Sequence, residues 1–407
     1  AHRIEEEKMA ILIQEIVGQA YKSNRFYPTF SGVLQSINYY PVSYMKRNEG
    51  VAYLALGFGR TIVDGEKCLR ISPEYPTILP QFFSIKATKE NTQNQFYGLP
   101  LRAKDQLGPD LLSYNLKDAE DDGVLQWIGS VVSHEDNTIR DSLSTSGTRV
   151  VSFAPILKWK TIPFASLAKE ILSIGKKALG CPVEIEFAVN MSKDKKPEFC
   201  LLQIKPIVLT GLQKIVEDEK SVMRKIFCKS NITLGDGRIN TVQDMIIVRK
   251  NSFDPSKTSE IAKEVYQLNK KFKNGRQYIL IGPGRWGSAD PWLGIPVQWK
   301  QISHAKAIIE LGLKELPIDP SFGSHFFQNI TSLQIAYITI DPKNKNDHLG
   351  FDWISDDSLV ESTNYIDWYH FDRPITITLD GTTGKGVIYQ PLEIEKDHMD
   401  EEESSGI

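Results

Sequence analysis

The sequence lacks any long hydrophobic run. No apolar stretch approaches the roughly 18 residues of a membrane-spanning helix, so no transmembrane segment is predicted. The first residues, A-H-R-I-E-E-E-K, also lack the basic and then apolar order of a secretion signal. They include no initiator methionine either, and we therefore expect the chain to be a fragment of a longer protein.

Cysteines are few and widely spaced. Their positions are Cys68, Cys181, Cys200 and Cys228. Because none of them forms a C-x-x-C pair, the spacing argues against a zinc site and against a disulfide framework. Scattered reduced thiols are the default in reducing compartments, so we expect a cytoplasmic protein.

An excess of charge of one sign is also missing. The 407 residues include 48 Lys and Arg against 51 Asp and Glu, a net charge of -3. This balance gives no basic surface for nucleic acid or for an anionic membrane, and neither is expected as a partner. The apolar fraction of 41% is typical of a soluble globular protein, and the length suffices for about two or three domains.

The most informative stretch runs from Val183 to Pro206, where two alternating apolar and polar runs flank a polar connection that contains a proline. This pattern predicts two antiparallel strands joined by a longer loop. Symmetric pairing of the strands would place Glu186 opposite Gln203. It would also place Glu184 opposite Lys205.

The period of two divides this hairpin into two faces. The apolar face, expected to lie on a core, carries Val183, Ile185, Phe187, Val189, Cys200, Leu202 and Ile204. The polar face carries Glu184, Glu186, Asn190, Gln203 and Lys205. Facing side chains on antiparallel strands lie about 5 Å apart at Cβ, so two carboxylates, an amide and an ammonium should converge.

Two interpretations of the polar face are open. Mg²⁺ is usually held by one or two carboxylates plus phosphate oxygens, and an amide oxygen can complete its shell while a lysine neutralises the phosphates. Alternatively, this is the solvated face of an edge hairpin, in which Glu184 and Lys205 form an ordinary cross-strand pair.

The segments I-E-F and L-Q-I-K-P-I resemble the end of the ATP-grasp domain in the pyruvate phosphate dikinase and phosphoenolpyruvate synthase family. There, an acidic-x-Glu strand precedes a Gln-x-Arg-Pro strand. The resemblance implies that Glu186 and Gln203 are metal or nucleotide ligands and that Glu184 is the first acidic residue. It implies ATP and Mg²⁺ as cofactors and a catalytic role for Lys205 on the phosphates. Lysine keeps the charge of the family's arginine but loses its two-pronged hydrogen bonding.

Three upstream segments resemble further landmarks of this family in the family's order: 9–17, read as a buried strand, 30–41 and 50–66. In the last of them, Gly57 and Gly59 permit two interpretations. The glycines allow backbone N–H groups to approach a phosphate closely, or they form only a tight strand connection.

The expected fold class is α+β or α/β, with the C-terminal part of an ATP-grasp domain followed by a smaller α/β domain. The predicted nucleotide-binding part covers 1–208, with an elaboration at 68–163, and a helical linker follows at 209–234. An α/β domain is predicted at 235–345, which could be a degenerate swivelling domain in the sense of the family. Strands at 346–390 and an acidic disordered tail at 391–407 are predicted to end the chain.

Within the nucleotide-binding part, a helix is predicted over Phe164 to Leu179. Its expected buried stripe consists of Leu167, Ile171, Ile174 and Ala178. The acidic run from Asp118 to Asp122 is interpreted as a solvated loop rather than as a metal site.

In the second domain, a strand is predicted over 277–281, a helix from Ser303 and a strand over 334–340. Arg285 and Trp286 are expected to pack against the first domain or to cap its site. The family's swivelling module carries a phosphorylated histidine, but its motif is missing here. His325 follows a serine as in that motif, and we expect it to carry no phosphate.

The resemblance implies the Mg-ATP-binding portion of a dikinase-like phosphotransferase. Such a portion is incomplete without the upstream ATP-grasp half that supplies a lysine and an arginine to the phosphates. The alternative is a non-catalytic nucleotide-binding or scaffold module derived from that family. Lys205 and the missing phosphohistidine motif favour the module, whereas Glu186 and Gln203 favour an enzyme. The phosphoryl acceptor and the oligomeric state stay open.

Overall fold

The computed structural model describes residues 13–42, 45–101, 111–207, 225–288, 293–312, 330–331 and 333–391. The chain divides into two units, the first comprising residues 1–36 and 50–206 and the second residues 37–49 and 207–407. Both units combine strands with few helices among the described residues, so the expected mixture of α and β structure is confirmed.

The first unit is built largely from short strands. Its strands are β1 (Gln19–Ala20), β2 (Arg25–Tyr27), β3 (Phe30–Gln35), β4 (Val51–Leu56), β5 (Leu69–Ile71), β6 (Gln95–Pro100), β7 (Leu112–Asn115), β8 (Gly129–Ser133), β9 (Ile139–Arg140), β10 (Gly147–Val151), β11 (Val183–Asn190) and β12 (Glu198–Pro206). Its helices are α1 (Arg60–Val63), α2 (Ile85–Asn91), α3 (Leu116–Asp121), α4 (Ala154–Leu157) and α5 (Phe164–Leu179).

These strands form three antiparallel sheets. The largest has the order β12-β11-β3-β4-β5 and contains the predicted hairpin at one edge. Two smaller sheets, β1-β2-β6-β7 and β10-β8-β9, come mostly from the segment interpreted as an elaboration. One apolar cluster, centred on Phe30, Phe153, Phe164 and Phe187, packs beneath the large sheet.

Helix α5 covers the apolar face of this sheet and has the predicted bounds, ending at Gly180 with a left-handed φ of 66°. The predicted buried stripe is wrong by about one position. The residues that face the core are Phe164, Ala168, Leu172 and Gly175, whereas Ile174 is 58% exposed. Gly175 contributes to this orientation of the helix, because it lets α5 pack closely on the sheet. A Cβ at this position would lie 2.9 Å from Ile204 Cδ1 and 3.1 Å from Val183 Cγ2.

Two further expectations for the first unit are wrong. The strand predicted over 9–17 lies partly outside the described residues, and its remainder, 13–17, has no regular structure, with Ile13 92% exposed. The acidic run begins within α3 rather than in a loop, and its carboxylates are engaged. Arg25 pairs with Asp118 at 2.6 Å and with Asp122 at 2.9 Å, because the helix ends beside β2.

The second unit contains longer strands. They are β13 (Ile226–Ser230), β14 (Ile232–Leu234), β15 (Gly237–Val248), β16 (Tyr278–Pro283), β17 (Arg285–Trp286), β18 (Gly294–Ile295), β19 (Ala305–Leu311), β20 (Ala336–Ile340), β21 (His348–Leu349), β22 (Leu359–Ser362), β23 (Ile366–Asp380) and β24 (Lys385–Tyr389). One helix of the unit is α6 (Thr258–Asn269).

Ten of these strands form one mixed sheet. Its parallel part runs β20-β19-β16-β15, and antiparallel strands β23, β24 and β13 continue it beyond β15. The parallel strands are buried on both faces, which explains their nearly continuous apolar runs such as Y-I-L-I. Helix α6 contributes Ile261, Val265 and Leu268 to the interior of the unit.

One helix predicted in this unit is wrong, and a second is wrong at its described end. The run from Ser303 forms β19, because a short apolar segment in the middle of a parallel sheet is buried on both faces and has no helical stripe to distinguish it. The helical linker at 209–234 falls mostly on residues outside the described part. Its end, Ile226–Ser230 and Ile232–Leu234, forms β13 and β14.

Trp286 lies in the interior of its own unit. Its side chain is fully buried against Gly282, its backbone N–H donates to Glu310 Oε1 at 2.8 Å, and its indole N–H donates to the Ile309 carbonyl at 3.4 Å. The expectation that Trp286 caps the site of the first domain is therefore wrong, because its side chain is fully buried and its indole N–H is already engaged.

The orientation of α5 makes a stability prediction. Leu172→Ala should lower the free energy of unfolding by about 2–4 kcal/mol, since Leu172 is 5% exposed and its truncation leaves a cavity in the core. Ile174→Ala, on the exposed side of the same helix, should cost less than about 1 kcal/mol. Urea unfolding of both variants measures the difference. Equal losses would contradict the observed orientation.

Candidate functional site

The hairpin β11–β12 has the predicted pairing where it matters for the polar face. Glu184 lies opposite Lys205 and Glu186 lies opposite Gln203. Residues that face each other in an antiparallel pair point to the same side of the sheet, so these four side chains share one face. On the opposite side of β11, Val183 and Ile185 are fully buried.

A β-bulge after Glu186 changes the pairing further along the hairpin. Phe187 lies opposite Leu201 and Ala188 opposite Cys200, one residue out of the symmetric register. Cys200 therefore lies on the polar face, and its assignment to the apolar face was wrong. Phe199 takes the core position instead, stacked on Phe187 with ring centroids 4.8 Å apart.

The Lys205 ammonium connects the two carboxylates of this face. Its Nζ atom lies 2.8 Å from Glu184 Oε1 and 3.2 Å from Glu186 Oε1. The hydrogen bond to Glu184 raises the pKa of Lys205, and partial desolvation opposes that rise. Lys205 is 47% exposed, so the arrangement is open to solvent and to a ligand.

The carboxylates differ in how firmly they are held. Gln35 on β3 donates from Nε2 to Glu184 Oε2 at 2.7 Å, so both oxygens of Glu184 are engaged and its side chain is 20% exposed. Glu186 is 36% exposed and uses only one oxygen among the described residues. Gln203 is exposed and its amide makes no hydrogen bond to the described part of the chain. Glu186 and Gln203 therefore have oxygen atoms free for a ligand.

Gln35 was missed by the sequence reasoning, although a signal existed. The run from Phe30 to Gln35 places Ser31, Val33 and Gln35 on one side of β3, and Val33 and Gln35 stay partly exposed once the run pairs with β11. The sequence does not indicate that Gln35 contacts Glu184, because the two residues are 149 positions apart.

The polar face continues across the sheet beyond the hairpin. Glu186 lies opposite Val33, Val33 opposite Tyr53, and Tyr53 opposite Arg70, so their side chains form one row. Val33, Tyr53 and Arg70 are half-buried. With neighbouring strands about 4.8 Å apart, the row extends for about 15 Å from Glu186 toward a second basic residue.

The Gly57-Phe58-Gly59 turn follows β4 and begins beside this face. Gly57 has a φ of 76°, and a Cβ there would lie 2.7 Å from the Tyr97 carbonyl. Its own carbonyl accepts a hydrogen bond from Ser31 at 2.7 Å, and the Phe58 N–H donates to Tyr97 at 3.1 Å. These contacts account for Gly57 as a tight strand connection. A Cβ added at Gly59 would meet only Ser31 Oγ, at 3.6 Å, so no close neighbour requires a glycine there.

The donor set suits a hard cation only in part. Within the part of the chain that the structure describes, no group of three or more His, Cys, Asp or Glu side chains is placed to hold a metal ion. A carboxylate and an amide oxygen can still bind Mg²⁺ when phosphate oxygens and water complete the shell. His325 lies outside the described residues.

No helix among the described residues is long and apolar enough to cross a membrane. The search of curated proteins finds no match to this chain. A family model does match: the AMP/ATP-binding domain of pyruvate phosphate dikinase, over residues 1–225, which is more than half of the 407 residues. The matched segment includes the whole polar face of β11–β12. The chain therefore belongs to the pyruvate phosphate dikinase AMP/ATP-binding domain family, as its hairpin motif predicts.

Proposed function

We propose that this chain is the Mg-ATP-binding portion of a dikinase-like phosphotransferase and that it binds the nucleotide on the polar face of β11–β12. The observation that carries the proposal is the convergence of Glu184, Glu186, Gln203 and Lys205 within a family whose domain binds AMP or ATP. In this proposal, residues 1–208 are the distal part of an ATP-grasp domain, and an upstream half supplies further phosphate contacts.

The contacts suggest separate roles for the two carboxylates. Glu184 is fixed by Gln35 and acts as a positioning residue for Lys205. Glu186 has a free oxygen beside Gln203 and is the better candidate to hold Mg²⁺. When bound, the cation would neutralise charge on the phosphate groups.

Lys205 is the proposed catalytic cation. Its ammonium bridges two carboxylates at 2.8 and 3.2 Å, and a phosphate is a stronger competitor for it once those carboxylates face a metal ion. Phosphoryl transfer depends mostly on positioning and charge stabilisation. Without the upstream half of the ATP-grasp domain, the chain should therefore still bind the nucleotide but lose most of the rate of phosphoryl transfer.

A non-catalytic nucleotide-binding module is the second candidate. One observation favours it: Lys205 replaces the arginine of the family motif, and an ammonium lacks the fork that fixes two phosphate oxygens. The two candidates agree on binding and differ on turnover, so binding and phosphoryl transfer need separate tests.

The first test removes the proposed metal ligand. Glu186→Gln should weaken Mg-ATP binding by the full-length protein by about tenfold, since the amide keeps the shape but loses the charge that holds the cation. Isothermal titration calorimetry measures the affinity. The apolar face is untouched, so the urea midpoint should stay within error of wild type.

Glu198→Gln is the matched control, because Glu198 is an exposed carboxylate on the same hairpin. It lies opposite Asn190, at the other end of the hairpin from Glu184 and Lys205. It should leave the affinity unchanged. Equal Mg-ATP affinity in wild type and Glu186→Gln would refute the assignment of Glu186, whatever the control does.

The second test concerns the charge at position 205. Lys205→Gln should weaken Mg-ATP binding by about tenfold because a charge-assisted hydrogen bond to phosphate is lost. Lys205→Arg should bind at least as well as wild type, since it restores the family's guanidinium. The loss of stability in Lys205→Gln should stay below about 1 kcal/mol, because its ion pairs are half exposed. If both variants bound like wild type, Lys205 would have no role at the phosphates.

The third test separates the two candidate functions. We expect full-length protein incubated with Mg²⁺ and β- or γ-labelled ATP to bind the nucleotide without forming an acid-labile phosphohistidine, because the family's histidine motif is missing. Phosphopeptide mapping under alkaline conditions is the measurement. Label on His325 would overturn this expectation and would indicate a dikinase-like enzyme with a rearranged carrier site.

A further inference from the structure

A cavity of about 640 Å³ lies in the second unit, beside the carboxyl ends of parallel strands β15, β19 and β20. Val248, Leu311 and Ile340, the last residues of these strands, all line it. Crevices at the carboxyl ends of parallel strands are where open α/β sheets bind ligands, and pockets of about 300–1,000 Å³ accommodate small molecules. The cavity residues lie outside the matched segment 1–225.

The walls of this cavity are apolar. They include Ile247, Leu311, Ile340, Leu349, Phe351 and Tyr369. Leu311 and Ile340 belong to the main apolar cluster of the unit, and Ile247, Leu349 and Tyr369 pack against that cluster. The cavity is therefore a recess in the edge of a core, suited to an aromatic or branched aliphatic body.

Two carboxylates lie together at one side of the lining. Asp341 follows β20 and donates its N–H to Asp347 Oδ2 at 2.9 Å, while Asn344 Nδ2 donates to Asp347 Oδ1 at 2.9 Å. Burial, together with the charge of Asp341, raises the pKa of Asp347, although backbone N–H groups oppose the rise. Asp341 Oδ1 accepts the Lys343 N–H at 2.9 Å, and its other oxygen has no hydrogen bond among the described residues.

The basic residues of the lining do not neutralise this pair. Arg249 is committed to Asp367, to Ser362 and to the carbonyls of Thr363 and Asn364, the last two at 2.7 and 2.6 Å. Lys250 is exposed and forms no ion pair within the described part of the chain, so its charge is screened by solvent. The cavity thus combines an apolar body with two carboxylates at one side, neither of which is paired with Arg249 or Lys250.

We propose that this cavity binds a small organic amine, with the ammonium on the carboxylates of Asp341 and Asp347 and an apolar group against Leu311, Ile340 and Phe351. Charge complementarity at the Asp341 and Asp347 side selects this class, because an acid bound there would place its carboxylate beside two aspartates. The inference does not depend on nucleotide binding, since it uses no residue of the polar face of β11–β12.

Phenethylamine is a suitable probe, and 3-phenylpropionate is its anionic counterpart with a similar apolar body. Phenethylamine titrated into the full chain should shift the methyl resonances of Ile247, Leu311, Ile340 and Leu349 in a ¹³C-methyl NMR spectrum. Asp341→Asn should weaken binding by about tenfold, because it removes the charge and keeps an acceptor for the Lys343 N–H.

Asp372→Asn is the matched control, since Asp372 is an exposed carboxylate of β23 outside the cavity. It should leave the phenethylamine affinity unchanged. Three results would overturn the proposal: 3-phenylpropionate binding as well as phenethylamine, methyl shifts outside the cavity only, or no binding of phenethylamine at millimolar concentration. All three are read on the wild-type chain, so they stand even if Asp341→Asn folds poorly.

Discussion

The alternation of side chains along β11 is the constraint on which the first unit depends. Val183, Ile185 and Phe187 must be buried for the large sheet to have a core, and this fixes Glu184 and Glu186 on the other side. A slip of one residue would bury two carboxylates and expose the core residues. The position of the candidate site is thus a consequence of how the sheet excludes water.

Stability and chemistry are therefore divided between the two faces of one strand. The apolar face packs under α5, where Gly175 allows Ile204 and Val183 to approach the helix closely. The ion pairs of Lys205 on the other face are half exposed, and pairs of that kind add little to folding. The polar residues can accordingly be selected for binding with small cost to the fold.

The second unit uses a different principle. Its parallel strands β15, β16, β19 and β20 are buried on both faces, so their side chains have little freedom to form a site along the strands. Polar groups appear instead where the strands end, as with Asp341 after β20. The chain thus places one candidate site on the face of an antiparallel sheet and another at the ends of parallel strands.

Local periodicity predicted the type of the elements whose two faces differ, although it did not give the residues of α5 that face the core. The pairing of Glu184 with Lys205 and of Glu186 with Gln203 followed from a symmetric hairpin, and the bounds of α5 followed from period 3.6 and Gly180. Periodicity failed to identify strand β19, because a segment that is buried on both faces shows no alternation of apolar and polar residues. The hairpin motif also predicted the family that the model match over residues 1–225 shows.

What the sequence alone determined is which residues alternate along β11 and which family motif the hairpin carries, because both depend on neighbours a few positions apart. The tertiary structure decided the rest. The bulge that turns Cys200 to the polar face, the contact of Gln35 with Glu184 across 149 residues and the burial of Trp286 all depend on which distant strand lies alongside. Such contacts are settled by packing over the whole unit, and no local pattern encodes them.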